Sequence, residues 1–268
     1  MSHYKIEAGT GQHVGDREEQ QDRVALFGAP RAPGYMLAVL ADGMGGANGG
    51  TMAAEQAIRT AKQIFLDFSP STHDLEKMLH SIVSEIHTVI KLAAMASEMR
   101  PQTTLVVLIL TPQKEAIWGH AGDSRLYRLR GPNLIERTVD HALSVHGDTP
   151  ENKPLDNSFA QQMISIPFNM VGGAGDAPTL SIGRHEGLRA GDAFALCSDG
   201  AWKYLKDNEF GAAIAMNSPR DATQFLIRKA RERCTDGNGD NCSIAVVKLV
   251  ETIVEVPTYQ AEKMQRAF

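Results

Sequence analysis

The stretch Thr104-Leu105-Val106-Val107-Leu108-Ile109-Leu110 has no polar residue beyond its opening threonine. A β-strand sends successive side chains to opposite faces, so a continuously apolar, β-branched strand must be covered on both. With 268 residues, 43% hydrophobic and 22% charged, the chain is long enough for one large domain or two small ones. Something in it has to supply a layer on each side of that strand.

The remaining pattern offers such layers. Short strands are expected at 3–10, 22–28 and 35–41. From about 50 to 68, Ala57, Ile58, Ala61, Ile64, Phe65 and Phe68 recur at helical spacing. A second helix, starting after the capping candidates Ser71 and Thr72, carries Leu75, Met78, Leu79, Ile82, Val83, Ile86, Val89, Ile90 and Ala93 on one broad face. Residues 114–121, 124–130 and 133–138 read as an antiparallel meander. Strands resume near 179–185 and 192–198, helical segments lie near 208–216 and 219–234, and 241–250 is a last strand. This order points to an α+β fold in which a pair of sheets is flanked by helices. No repeat or linker divides the chain. The segment 142–169 is polar, Pro-containing and aperiodic, as functional inserts often are, and 251–268 is a weakly patterned tail.

Chemistry concentrates at strand ends. The apolar run Met36–Leu40 closes on Ala41-Asp42-Gly43-Met44-Gly45-Gly46, which delivers one carboxylate and a turn of glycines to the lip of a sheet. Taken alone, this is an ordinary Asp-Gly turn. Its company changes the reading: Asp22 follows an Arg-bearing polar loop, Asp123 sits in Gly119-His120-Ala121-Gly122-Asp123-Ser124-Arg125, Asp199 in Leu196-Cys197-Ser198-Asp199-Gly200, and Asp240 precedes the last strand. If these ends converge, the acids repel one another and bound divalent cations relieve them. All-oxygen ligation suits Mg²⁺ or Mn²⁺ rather than zinc or copper. Three cysteines, Cys197, Cys234 and Cys242, show no paired spacing, so no zinc site or disulfide framework is expected and a cytoplasmic setting is. A net charge of -5 disfavours nucleic acid as a partner. No apolar run approaches a membrane span.

Arg17…Asp22, Asp42-Gly43-Met44-Gly45-Gly46, Gly119–Arg125, Asp140-His141, Cys197-Ser198-Asp199-Gly200 and Asp240-Asn241 occur in one order and approximate spacing. That ordered set resembles the PP2C-like metal-dependent protein serine/threonine phosphatases in their bacterial form, from about Gly9 to Val250. The resemblance implies a central antiparallel β-sandwich with helices on both outer faces, 1–250 being the catalytic domain and 142–169 its flap. It implies that Asp42 bridges two Mn²⁺ or Mg²⁺ ions, with the Gly43 carbonyl on the second and Asp199 and Asp240 completing the first. Asp123, with Asp199, would hold a third, looser ion. Asp22 would orient metal-bound waters and Arg17 would bind a phosphate oxygen. The implied reaction is hydrolysis of phosphoserine and phosphothreonine in proteins by a metal-bridging hydroxide. The implied setting is signalling, opposing a cognate kinase, by a monomer.

Several residues depart from the family pattern or admit a plainer reading. Gln20 stands where Asn is usual, and Gln21 where many members have Glu, which removes one charge from the second ion's surroundings. Met44 occupies the place of a His that protonates the leaving group in animal members, and a thioether cannot donate a proton. Gln102 and Thr51 read as structural variation. His141 is expected to be a hydrogen-bonding spacer rather than an acid or base, and His120 to orient the Gly122-Asp123 turn. Cys197 reads as a core residue. Arg125, Arg128 and Arg130 are either a phosphate-binding cluster or alternation along an exposed strand. Two rivals of other classes remain, a catalytically silent binding module on the same fold and a metal-dependent nuclease. The second is disfavoured by net acidity and by the lack of aromatic–basic interleaving.

Overall fold

The computed structural model describes residues 4–46, 48–95, 99–146, 163–235 and 237–252. Among these residues, thirteen strands and five helices follow in the order β1 (Tyr4–His13), β2 (Asp22–Gly28), β3 (Met36–Met44), α1 (Gly49–Leu66), α2 (Leu75–Met95), β4 (Gln102–Thr103), β5 (Leu105–Leu110), β6 (Glu115–Ala121), β7 (Arg125–Arg130), β8 (Asn133–Arg137), β9 (Ala142–His146), β10 (Met163–Pro167), β11 (Ser181–Glu186), β12 (Asp192–Cys197), α3 (Asp199–Trp202), α4 (Asp207–Met216), α5 (Pro219–Arg233) and β13 (Cys242–Glu251). One antiparallel sheet has the order β1-β13-β12-β7-β8. The other runs β11-β6-β5-β3-β2, with β4 paired to the far end of β3.

The period-2 alternation of the strands sorts their side chains into separate layers. On β3, Ala38 and Leu40 face the other sheet, while Leu37, Val39 and Ala41 face helices. On β5, Val106, Leu108 and Leu110 point between the sheets and Leu105, Val107 and Ile109 point outward, as a strand without polar residues requires. Helices α1 and α2 cover that outer face with Phe65, Leu79, Ile82 and Ile86. On the other side, Phe210 of α4 and Leu226 and Ile227 of α5 cover Tyr127, Ala195 and Val246. The expected α+β architecture, a sandwich with helices on both outer faces, is what forms.

Some local expectations change. Residues 114–138 are not one meander: β6 belongs to the sheet of β5, and the Gly122-Asp123 turn carries the chain across to the other sheet, where β7 and β8 form a hairpin. Crossing the sandwich needs a tight turn, and Gly122 makes it at φ +94°, against the Thr104 side chain. Helix α2 is capped by Asp74, whose Oδ1 accepts from the Lys77 amide at 2.9 Å, rather than by Ser71 or Thr72. The ends of the expected insert form a two-stranded ribbon, β9 with β10, while 147–162 lie outside the described residues, as does the tail beyond 252. Strand β3 continues past Asp42 because Gly43 and Met44 pair with Thr103 and Gln102.

The polar loop between β1 and β2 is held by Asp16, which pairs with Arg231 and accepts from the Gly239 amide, and above all by Asn241. Asn241 accepts from the Gln21 amide at 2.6 Å and donates to the carbonyls of Val14 at 2.7 Å and Glu19 at 2.9 Å. A buried amide that satisfies three backbone groups fixes the loop more firmly than its sequence suggests.

Two outcomes follow from this packing. Leu108→Ala, in the dry layer between the sheets, should cost about 3 kcal/mol in urea unfolding; Leu92→Ala, at a position 61% exposed, should change stability by less than ~0.5 kcal/mol. Asn241→Ala should speed amide hydrogen exchange across residues 15–21 by at least on the order of tenfold, with the circular dichroism spectrum kept. Unchanged exchange would mean that the loop is held by other contacts.

Candidate active site

At one end of the sandwich the inter-sheet layer changes from apolar to polar while the alternation continues. Continuing the inward-facing positions leads from Leu40 to Asp42, from Val106 to Thr104, from Leu196 to Ser198 and from Ala245 to Ser243. Strand register places Asp22 directly opposite Asp42 on β2 and β3. Directly paired residues on adjacent strands share a face at close range, so two like charges meet there. Asp123 reaches the same end through the crossing turn, and Asp199 opens α3 at the end of β12. Asp240 arrives just before β13.

Six of the seven residues singled out from sequence, Arg17, Asp42, Gly43, Asp123, Asp199 and Asp240, line one cleft of about 780 Å³. The seventh, Asp22, lies beneath it and is 1% exposed. Met44, Gly45, Gly46, Thr104, Pro167 and Met170 complete much of the wall. Gly43 is required by close approach: a β-carbon there would fall 2.1 Å from the Gly50 carbonyl oxygen at the start of α1.

Electrostatics reflects the crowding. Burial, followed by the charges of Asp22, Asp199, Asp123 and Asp240, holds the Asp42 carboxyl well above its usual range. Burial raises Asp22 to about 8, with Asp199 and Asp240 adding to it and the Ser198 hydroxyl opposing. Asp123 is pushed up to about 7 by burial and then by Asp199, while Lys203 works the other way. Partners offset part of this. Ser198 Oγ donates to Asp22 Oδ2 at 2.7 Å and accepts from the Ser243 amide at 2.9 Å. That hydroxyl stands at the N-cap of α3 yet makes no side-chain cap, because it is committed to Asp22. Lys203 Nζ lies 2.5 Å from Asp199 Oδ2, and an Arg17 guanidinium nitrogen lies 2.9 Å from Asp240 Oδ2.

Among the described residues, no three His, Cys, Asp or Glu side chains are already grouped to hold a metal ion. The acids share the cleft but are partly held by their own partners. The donor set still fits a hard divalent cation: every candidate is an oxygen, and the cleft is lined by far more carboxylates than cationic side chains. Among the described residues, no side chain donates a hydrogen bond to the Asp42 carboxylate, so the most crowded acid has the least local relief.

Other sequence expectations resolve plainly. Arg125, Arg128 and Arg130 pair with Asp140, Glu136 and Asp192, so the arginine cluster is structural. His141, not His120, touches the crossing turn: its amide donates to the Gly122 carbonyl at 2.9 Å, and its Nδ1 accepts from the Gly122 amide at 3.4 Å. His120 stacks on His141 at 4.5 Å and bonds to the Val139 carbonyl. Cys197 is fully buried and its thiol is pushed far up by burial, which suits a core residue and not a nucleophile. Sequence reasoning did not single out Ser198, Lys203, Trp202 and the clamping role of Asn241. Ser198 and Asn241 adjoin chosen aspartates, a hint that was available. Lys203 could be noticed only from its i,i+4 spacing to Asp199, which requires knowing that a helix begins there.

Residues 9–232 match the family described as Protein phosphatase 2C. Protein phosphatase PhpP of Streptococcus pneumoniae is 28% identical over 238 residues, covering 83% of this chain and 89% of that protein. The Mycobacterium tuberculosis serine/threonine phosphatase PstP/Ppp has a TM-score of 0.72 at 25% identity, covering 92% of this chain and 99% of that one. The catalytic domain of PstP in complex with two manganese ions has a TM-score of 0.69 at 24% identity, with 92% and 99% covered, a likeness of fold. The matched stretch takes in Arg17, Asp22, Asp42, Gly43, Asp123 and Asp199 and stops short of Asp240, which the cleft supplies. With most of its length inside that match and the acids of the motif on one cleft, the chain belongs to the protein phosphatase 2C family.

Proposed function

We propose that this protein is a metal-dependent phosphatase that hydrolyses phosphoserine and phosphothreonine in proteins, with the cleft at the polar end of the sandwich as its active site. The observation that carries this reading is the meeting of Asp42, Asp123, Asp199, Asp240 and Arg17 on one solvent-open cleft in a protein phosphatase 2C chain. Asp42, the Gly43 carbonyl, Asp199 and Asp240 would hold two divalent ions, Mn²⁺ or Mg²⁺. When bound, such ions supply Lewis acidity that ionises water near neutral pH and neutralises charge on the attacked phosphoryl group.

The chain's own residues do the rest. Arg17 stands at the cleft with its side chain 57% exposed. A guanidinium has five N–H donors, so the bond to Asp240 leaves others for phosphate oxygens in a planar fork. Asp22, anchored by Ser198, keeps a carboxyl group in place beneath the cleft floor where water is to be oriented. Asn241 holds the loop that carries Arg17. Met44 on the wall cannot donate a proton, so the leaving serine or threonine oxygen takes its proton from water. The β9–β10 ribbon borders the cleft through Pro167, which supports assigning 142–169 to the grip on polypeptide substrates.

Further parts of the reading are that residues 1–250 form the catalytic domain with 251–268 as a tail, and that the enzyme acts as a cytoplasmic monomer against a cognate kinase. Buried thiols at Cys197 and Cys242 suit a reducing compartment. Among the described residues, no helix is long and apolar enough to cross a membrane. Between Asp123 and Asp199, a third ion would have to contend with Lys203.

Purified protein with Mn²⁺ should release phosphate from phosphoserine and phosphothreonine peptides and from p-nitrophenyl phosphate. It should leave single-stranded DNA intact. Asp42→Asn should lower kcat by more than about a hundredfold with the fold kept; near-normal turnover at saturating Mn²⁺ would remove Asp42 from the centre, and a metal-saturated wild type inactive on every substrate would favour the silent binding module. Arg17→Ala should raise KM on the order of tenfold, the scale of one charge-assisted hydrogen bond, and weaken Mn²⁺ binding little. The opposite split would assign Arg17 to the metals.

A further inference from the structure

Lys203 is ion-paired with Asp199 and acts on the charge of Asp123, and its position is built rather than incidental. It follows Asp199 by four residues at the end of α3, where its amide donates to the Asp199 carbonyl at 3.1 Å. Its ammonium lies 2.5 Å from Asp199 Oδ2 and acts electrostatically on Asp123 and Asp240 as well. Trp202 ties this group to the facing turn: its indole N–H donates to the Asp123 carbonyl at 3.0 Å. The same ring lies 5.8 Å from the Lys203 ammonium and 3.5 Å from the Arg125 guanidinium, which grips Asp140 through two hydrogen bonds. The turn bearing Asp123 and the helix bearing Asp199 are therefore braced together, with the Lys203 ammonium held on Asp199.

We propose that the Lys203 ammonium takes, at the Asp123–Asp199 pair, the place that a third divalent cation would otherwise fill, so that this centre works with two ions and one tethered cation. This rests on the metal-centre reading given above. A cation anchored on the same helical turn as its carboxylate meets it at high effective concentration, which a free ion must overcome. Charge neutralisation at Asp123 and Asp199 is then independent of metal supply. Arg17 plays no equivalent part at Asp240, because it sits on a loop with most of its side chain in solvent and keeps donors for other acceptors. Asp42 has no such cation and stays open to divalent ions.

The test is the number of Mn²⁺ ions bound per chain, measured on the full-length protein by equilibrium dialysis with elemental analysis and by calorimetry, without reference to turnover. Wild type should bind two ions, Lys203→Arg two, and Lys203→Met three, the added ion being lost again in Lys203→Met combined with Asp123→Asn. Asp123→Asn alone should leave the wild-type number at two, an arm that does not depend on Lys203→Met folding. Three ions in wild type, or no gain in a folded Lys203→Met protein, would overturn the tethered-cation proposal and leave the metal-centre reading standing. No Mn²⁺ bound to wild type or to any variant would overturn both.

Discussion

Burial and mutual repulsion within one cluster of carboxyl groups are the constraint around which this molecule is arranged. Asp22 and Asp42 are paired directly across two strands, and Asp123, Asp199 and Asp240 come close enough to raise their neighbours' affinity for protons. Two like charges about 4 Å apart at an effective dielectric of about 20 repel by ~4 kcal/mol. That is a large fraction of the stability of an ordinary domain. The structure meets the repulsion with hydrogen bonds, tethered cations and a solvent-open cleft that divalent ions can enter. The closest contacts divide among the acids: Ser198 on Asp22, Lys203 on Asp199, Arg17 on Asp240.

The acids can be tolerated because the rest of the inter-sheet layer is dry and closely packed. Leu40, Val106, Leu108, Trp118, Phe194, Leu196 and Val247 fill it, and the helices seal the outer faces with separate apolar clusters. Apolar burial along the strands thus supports a polar end that would not hold together alone. Rigid strands also limit how far the acids can move apart. Preorganised charge of this kind is what a metal centre and a charged phosphoryl substrate both require.

Loops and turns complete the centre through a few saturated side chains. Asn241 holds the Arg17 loop by three backbone contacts, and Trp202 holds the crossing turn against α3. His141 reaches from the base of the β9–β10 ribbon to Gly122, with Asn169 on its Nδ1 and Ser181 on its Nε2. These residues touch no reacting group, yet they decide where Arg17 and Asp123 stand. Their amides and rings bind backbone as well as side chains, which is why their neighbours in sequence give little hint of their role.

The layering and most of the acids were legible from sequence because both depend on local period. An apolar strand covered on both faces, amphipathic helices and an Asp-Gly step after an apolar run are short-range patterns, and Asp42 and Asp199 follow from them, as Asp123 does from the glycine-bearing turn between two strands. Alternation states which side chains share a face, but not which sheet a strand joins. The Gly122-Asp123 turn reads like a hairpin whether it returns to the same sheet or crosses to the other, and only packing of β7 against β12 chose the crossing. A four-residue helix such as α3 is too short to show a period, so the Lys203–Asp199 contact had no pattern to announce it. Sequence by itself determined the layers, the strand-end acids and the family they resemble. Tertiary structure decided which charges meet which cations, because those contacts join residues far apart in the chain, such as Arg17 with Asp240, through strand pairings that no local window contains.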